Sequence, residues 1–170
     1  GNWRLQVTDN NGCVKYQPAK LNEPDLLEFQ PFILSNHNEN NYEISCNGFN
    51  DGEITVDVKG GVTPYKYQLD KQQPSGLFQP ERSLQFINEF TDLNAGTYQI
   101  KVEDANGCII NQPATLNEPD LLEFQPSSHQ LSDYNSFNIS CKDGNNGWVK
   151  LSVIGGHGNY SYQKTGQPNT

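Results

Sequence analysis

The chain repeats itself, and the repeat limits what it can fold into. Asn11-Gly12-Cys13 returns as Asn106-Gly107-Cys108, and Ile44-Ser45-Cys46 returns as Ile139-Ser140-Cys141. The stretch Leu21–Pro31 returns unchanged at Leu116–Pro126. The offset is 95 throughout, and residues 1–75 lie over 96–170 without a gap, with 33 identities. Such a period exceeds the ~20–50 residues of a solenoid unit and suits a whole small domain. The chain therefore reads as the C-terminal part of one unit (1–26), a complete unit (27–121) and the N-terminal part of the next (122–170). The junction centres on Asn22-Glu23-Pro24-Asp25 and Asn117-Glu118-Pro119-Asp120. Its proline cannot donate to a sheet ladder and holds the preceding glutamate extended. Methionine is absent, even at position 1, so the chain is expected to be an excerpt of something longer. No basic stretch precedes an apolar core as in a signal peptide.

Within a unit the pattern is that of strands. Glu53–Val58, Tyr65–Leu69 and Tyr98–Val102 alternate with period two, as half-buried strands do. Trp148–Val153 is the counterpart of the first. Ser83–Ile87 is expected to be a further strand, and Phe29 and Phe124 to open each unit's first strand. Asp104-Ala105-Asn106-Gly107 lies between Tyr98–Val102 and Cys108-Ile109-Ile110, and Asn-Gly there favours a tight hairpin. No segment shows helical periodicity with caps. The 15 glycines and 10 prolines suit frequent turns. The expected fold is all-β, with tandem immunoglobulin-like antiparallel β-sandwiches at a 95-residue period. Asp92-Leu93-Asn94-Ala95-Gly96-Thr97-Tyr98 looks like the loop entering strand F, where a tyrosine bonds back to the loop backbone. Trp3 occupies that position in the first unit and lacks the hydroxyl.

Several function classes are disfavoured. A net charge of −9 opposes nucleic-acid binding, which needs clustered Lys and Arg. It also opposes an anionic membrane surface, and no run approaches the ~18 apolar residues of a membrane span. Catalysis lacks a constellation. His37, His129 and His157 fall in expected loops, with no cysteine or carboxylate at ligand or triad spacing.

The motifs together resemble the SprB-type repeat of the gliding adhesins of Bacteroidota. The residues that carry the resemblance are Cys46-Asn47-Gly48, Asn50–Ile54, Gly60–Tyr67, Leu93–Tyr98, Val102–Cys108 and Asn117-Glu118-Pro119. Tyr67-Gln68-Leu69 lacks the tryptophan common after the second tyrosine, and His157-Gly158-Asn159 replaces Val-Thr-Pro in the third unit. The resemblance implies a long cell-surface filament, exported by the type IX secretion system and attached at the outer membrane through its parent protein. Gliding machinery would move it while it grips the substratum. The family brings no catalytic residues and no cofactor.

Three candidate features remain. Calcium takes six to eight oxygens, often several from one loop. Asp51, Asp104, Glu118 and Asp120 are candidates for an interdomain ion, but the turn carboxylates Asp9, Asp51 and Asp104 can instead bond their own backbone. Tyr65 and Tyr67 point the same way on one strand and could stack on sugar rings, or simply pack in a sheet. Cys46 and Cys108 could bridge within a unit, as is usual in an exported protein. In an immunoglobulin topology, however, they lie at opposite ends of strands spanning roughly 26 Å, whereas a disulfide needs Cα atoms within ~7 Å. The alternative pairing staples Cys46 of one unit to the hairpin cysteine of the next, which puts the partner of Cys46 past residue 170 and that of Cys108 before residue 1. The partners of Cys13 and Cys141 lie outside the chain as well, and all four cysteines would look unpaired. Free thiols are the third possibility.

The reading that follows is a non-enzymatic structural repeat of an extended adhesin stalk, whose nearest partners are neighbouring repeats of the same polypeptide. A carbohydrate-binding module that contacts surface polysaccharide is the competing reading. A domain appended to a secreted hydrolase is another.

Overall fold

Alternating apolar residues become strands where the two faces of the pleat meet different surroundings. The computed structural model describes residues 1–36, 42–125 and 129–163. Its strands are β1 (Asn2–Thr8), β2 (Val14–Lys20), β3 (Glu28–Phe29), β4 (Ile33–Leu34), β5 (Gly52–Thr55), β6 (Val58–Lys59), β7 (Lys66–Gln72), β8 (Phe78–Gln85), β9 (Glu89–Leu93), β10 (Gly96–Glu103), β11 (Ile109–Leu116), β12 (Glu123–Phe124), β13 (Gln130–Leu131), β14 (Val149–Lys150) and β15 (Val153–Ile154). No helix occurs among the described residues. None is therefore long and apolar enough to cross a membrane.

Two antiparallel sheets share one core. Their orders are β4-β5-β9 and β11-β10-β7-β8, and β3 pairs with β6 as a separate two-stranded sheet. Ile54, Phe90 and Leu93 of the first sheet and Leu69, Tyr98, Ile100, Val102 and Leu116 of the second belong to the same buried cluster. β10 shows the expected period, with Tyr98, Ile100 and Val102 buried and the residues between them partly exposed.

Three strands depart from the sequence reading, each for a visible reason. The run Glu53–Val58 is interrupted at Val56-Asp57. Its partner strand is split into β3 and β4 around Pro31, which has no N–H to offer. At the break the Gln30 amide donates to the Asp57 carbonyl (2.9 Å), and the Val58 amide donates to the Asp57 carboxylate (2.9 Å). The strand expected at Ser83–Ile87 lies at Phe78–Gln85, and Phe86 and Ile87 are exposed. There the chain leaves β7 and crosses to the other sheet. Asn88 Nδ2 donates to the Val56 carbonyl (2.7 Å), and the Val56 amide donates to the Asn88 carbonyl (2.9 Å). β9 itself was not anticipated. Its buried residues, Phe90 and Leu93, are three apart, because the β5–β9 register shifts between Gly52 and Ile54. A bulge of this kind hides the period-two signal.

The loop before β10 behaves as expected. Tyr98 Oη donates to the Asn94 carbonyl (2.7 Å), and the ring is fully buried. Burial first, and then the Glu81 carboxylate, push the Tyr98 pKa up to about 12; Arg82 works in the opposite sense. The folded state thus favours the neutral phenol. Its contribution to stability is complete below ~10, the unfolded value, and is lost as pH rises through about 12. Thermal melts between pH 9 and 12 should show this decline. In Tyr98→Phe the decline should shrink, from a starting stability lower by ~0.5–1.5 kcal/mol for the lost hydrogen bond.

The flanking segments reproduce parts of this geometry 95 residues away. β12 pairs with β15 as β3 pairs with β6. Tyr160 Oη donates to the Gly155 carbonyl as Tyr65 Oη does to Gly60. β1 and β2 form a hairpin like that of β10 and β11, but exposed along nearly its whole length, Trp3 included.

Candidate functional site

The most specific constellation lies at the junction Asn117–Leu122. Its first half is held by the segment Glu43–Gly48. The amides of Glu43 and Ile44 donate to the Asn117 carbonyl (3.1 and 3.0 Å). The Glu43 carboxylate accepts from the Asn117 amide and side chain (2.8 and 3.0 Å). Glu118 reaches the loop of Cys46-Asn47-Gly48, where it accepts from the Gly48 amide (2.6 Å) and from Asn47 Nδ2 (3.2 Å). Asn47 Nδ2 also lies 3.1 Å from the Pro119 carbonyl, and Pro119 is fully buried. That loop is a turn closed by the Phe49 amide on the Cys46 carbonyl (3.1 Å), with Gly48 at φ 77°.

The second half is held by the segment that follows. The Gly156 amide donates to the Asp120 carbonyl (2.7 Å). Gly155 lies so close to Leu121 that an added Cβ would fall 1.9 Å from its carbonyl oxygen. The earlier junction has the same arrangement, with the Gly61 amide on the Asp25 carbonyl (2.8 Å) and Gly60 against the Leu26 carbonyl. Gly-Gly is thus required by close backbone approach as well as by positive φ at both residues.

Asp104 locks the hairpin turn to this Gly-Gly turn. It is 3% exposed. Its Oδ1 accepts from the amides of Asn106 (2.9 Å) and Cys108 (2.8 Å), and its Oδ2 accepts from Val62 (3.0 Å). Burial raises its pKa, but the donations from Cys108, Val62 and Asn106 outweigh this and hold it below the ordinary aspartate value. Asp9 repeats the motif on Asn11 and Cys13, and its pKa is lowered chiefly by the Cys13 amide. Asp51 accepts from the amide and hydroxyl of Ser45, as Asn146 does in part for Ser140.

The calcium candidates Asp51, Asp104, Glu118 and Asp120 are therefore placed at separate backbone contacts. Among the described residues, no three His, Cys, Asp or Glu side chains form a group that could hold a metal ion. Tyr67 is in the core, while Tyr65 is half-buried with its hydroxyl on Gly60. Burial pushes the Tyr67 pKa up, with Asp57 adding to it. All four cysteines are exposed and free. Cys46 borders a cleft with Pro119–Leu122, Gly156 and His157, and Cys108 borders another with Glu23–Leu27, Gly61 and Asp104. His129 is exposed. His157 is half-buried and its Nε2 is buried without a hydrogen-bond partner, while His37 lies outside the described residues.

Sequence reasoning found the junction by its repetition but missed its partners. Glu43 carries no motif signal, and Asn47 stood out only as part of the Cys46-Asn47-Gly48 motif, with nothing to name its partner. They matter because the fold brings them to residues more than 70 positions away. No curated protein and no solved structure matches the chain. The family model described as SprB repeat matches at residues 40–73 and again at 134–167. The first segment runs from the Asn47 loop through the Gly60-Gly61 turn into β7, and the second spans the counterparts of that loop and turn. Repeats of this family occur in cell-surface proteins. The chain therefore carries two segments similar to the SprB repeat, one around each of the Gly60-Gly61 and Gly155-Gly156 turns.

Proposed function

We propose that this chain is part of the stalk of a cell-surface adhesin filament that serves gliding motility and surface attachment. Immunoglobulin-like sandwiches, each corresponding to residues 27–121, follow one another at a 95-residue period. Residues 1–26 complete the preceding unit, and residues 122–170 begin the next. The observation that best supports this is the junction. Asn117-Glu118-Pro119 is bonded to the unit before it, and Asp120 is bonded to the Gly-Gly turn after it. A connection fixed on both sides passes orientation from unit to unit and keeps a filament extended. The sheets carry load through antiparallel ladders, and the net charge of −9 resists lateral collapse at modest salt.

In this reading the protein is not an enzyme and needs no cofactor. Its partners are neighbouring repeats and, through the parent polypeptide, the type IX secretion and gliding machinery. The burial of Tyr67 and the internal hydrogen bond of Tyr65 weigh against a sugar-stacking platform at that pair.

Small-angle X-ray scattering on arrays of three and five complete units tests the reading. The maximum dimension should grow by roughly 35–45 Å per unit, the length of a compact domain of this size. Growth far below that would mean that units fold back on one another, and the stalk reading fails. Saccharide binding by the folded array would move the assignment to the carbohydrate-binding module.

A further inference from the structure

We infer that Cys46 of each unit forms a disulfide with the counterpart of Cys108 in the unit that follows, so that consecutive units are stapled across the junction. The inference rests on the tandem reading above and adds a covalent bond to it. Its basis is that two clefts are halves of one place. The cleft of Cys46 is walled by Pro119–Leu122 and Gly156. The cleft of Cys108 is walled by Pro24–Leu27 and Gly61. These walls are the same residues shifted by 95. Cys46 approaches the shared wall from the unit before the junction, and Cys108 approaches it from the unit after. Wherever both flanking units are complete, one cysteine from each borders the same cleft.

The two thiols are also presented rigidly. Cys46 begins the turn that binds Glu118, and its carbonyl accepts the Phe49 amide. The Cys108 amide is bonded to Asp104, and its carbonyl accepts the Asp104 amide (3.0 Å). Both side chains are exposed. Leu27, within the cleft that has a complete unit after it, is 6% exposed, whereas its counterpart Leu122 is 57% exposed. Completing the following unit therefore closes the wall around the thiols. Within one unit, Cys46 and Cys108 border different clefts at different junctions.

The bond forms by thiol–disulfide exchange with a disulfide oxidant. One cysteine thiolate attacks a sulfur of the oxidant and expels a thiolate. The other cysteine thiolate attacks the mixed disulfide and expels the second. The two cysteines lose two electrons and two protons, and the oxidant becomes two thiols.

The test extends the chain after Thr170 with a second copy of residues 76–121, which completes the third unit. The folded protein is incubated with oxidised glutathione, alkylated and mapped without reduction. The expected crosslink joins Cys46 to the copy of Cys108, while Cys13, Cys108 and Cys141 remain alkylatable. In Cys46→Ser that crosslink disappears and the copied cysteine becomes alkylatable. A Cys46–Cys108 peptide, or full alkylation of Cys46 in the folded protein, overturns the staple. Scattering on the same sample separates the two claims. An extended protein with alkylatable Cys46 overturns the staple alone, and a collapsed one overturns the stalk.

Discussion

Phe90→Ala is expected to destabilise the two-sheet core by about 3–5 kcal/mol, the cost of emptying a large aromatic site in a packed core. Phe90 is 2% exposed and sits in the cluster that both sheets share. A domain of this size is stable by only ~5–15 kcal/mol, so the variant should lose a large part of its margin. Urea unfolding followed by the fluorescence or circular dichroism of the whole chain measures it. Phe86→Ala removes the same ring from a site that is 65% exposed, and should change stability by no more than ~0.5 kcal/mol. Equal losses at the two positions would mean that Phe90 does not join the sheets.

Gly60→Ala should be the most damaging small substitution at a junction. Its φ is 72°, a conformation that costs an alanine roughly 1–3 kcal/mol. In addition, its Cβ would stand 1.9 Å from the Leu26 carbonyl oxygen, so the junction segment must move. Gly76→Ala isolates the first effect, because Gly76 has φ 83° and nothing within 4 Å of an added Cβ. The difference between the two variants measures the close approach. Hydrogen exchange should show it locally, as faster exchange of the Gly61 amide that donates to Asp25. An unchanged Gly61 amide in Gly60→Ala would mean that the junction is not held at this turn.

Both predictions concern features that were only partly legible in the sequence. The strands β7 and β10 were, because their faces alternate without interruption. Tyr98 and its bond to the loop were legible for the same local reason. β9 was not, since the bulge opposite Glu53 spaces Phe90 and Leu93 by three. The break in Glu53–Val58 was hidden as well, because it is set by Pro31 on the partner strand and not by the run itself. Phe86 and Ile87 look like strand residues in sequence but lie where the chain changes sheets.

The sequence by itself determined the repeat, the all-β character, the hairpin at Asp104–Cys108 and the importance of Asn-Glu-Pro-Asp. Those follow from identity, periodicity and turn chemistry, which are local. Only the tertiary structure decided what the junction binds. Glu43, Asn47 and Gly48 meet Asn117-Glu118-Pro119 because the sheets carry distant chain segments to one end of the unit. It also decided that Asp51, Asp104 and Glu118 spend their oxygens on nearby amides and, for Asp51, the Ser45 hydroxyl, that Tyr67 is inside, and that Cys46 and Cys108 face different junctions. Partners set by long-range packing leave no periodic trace along the chain, so no reading of spacing could supply them.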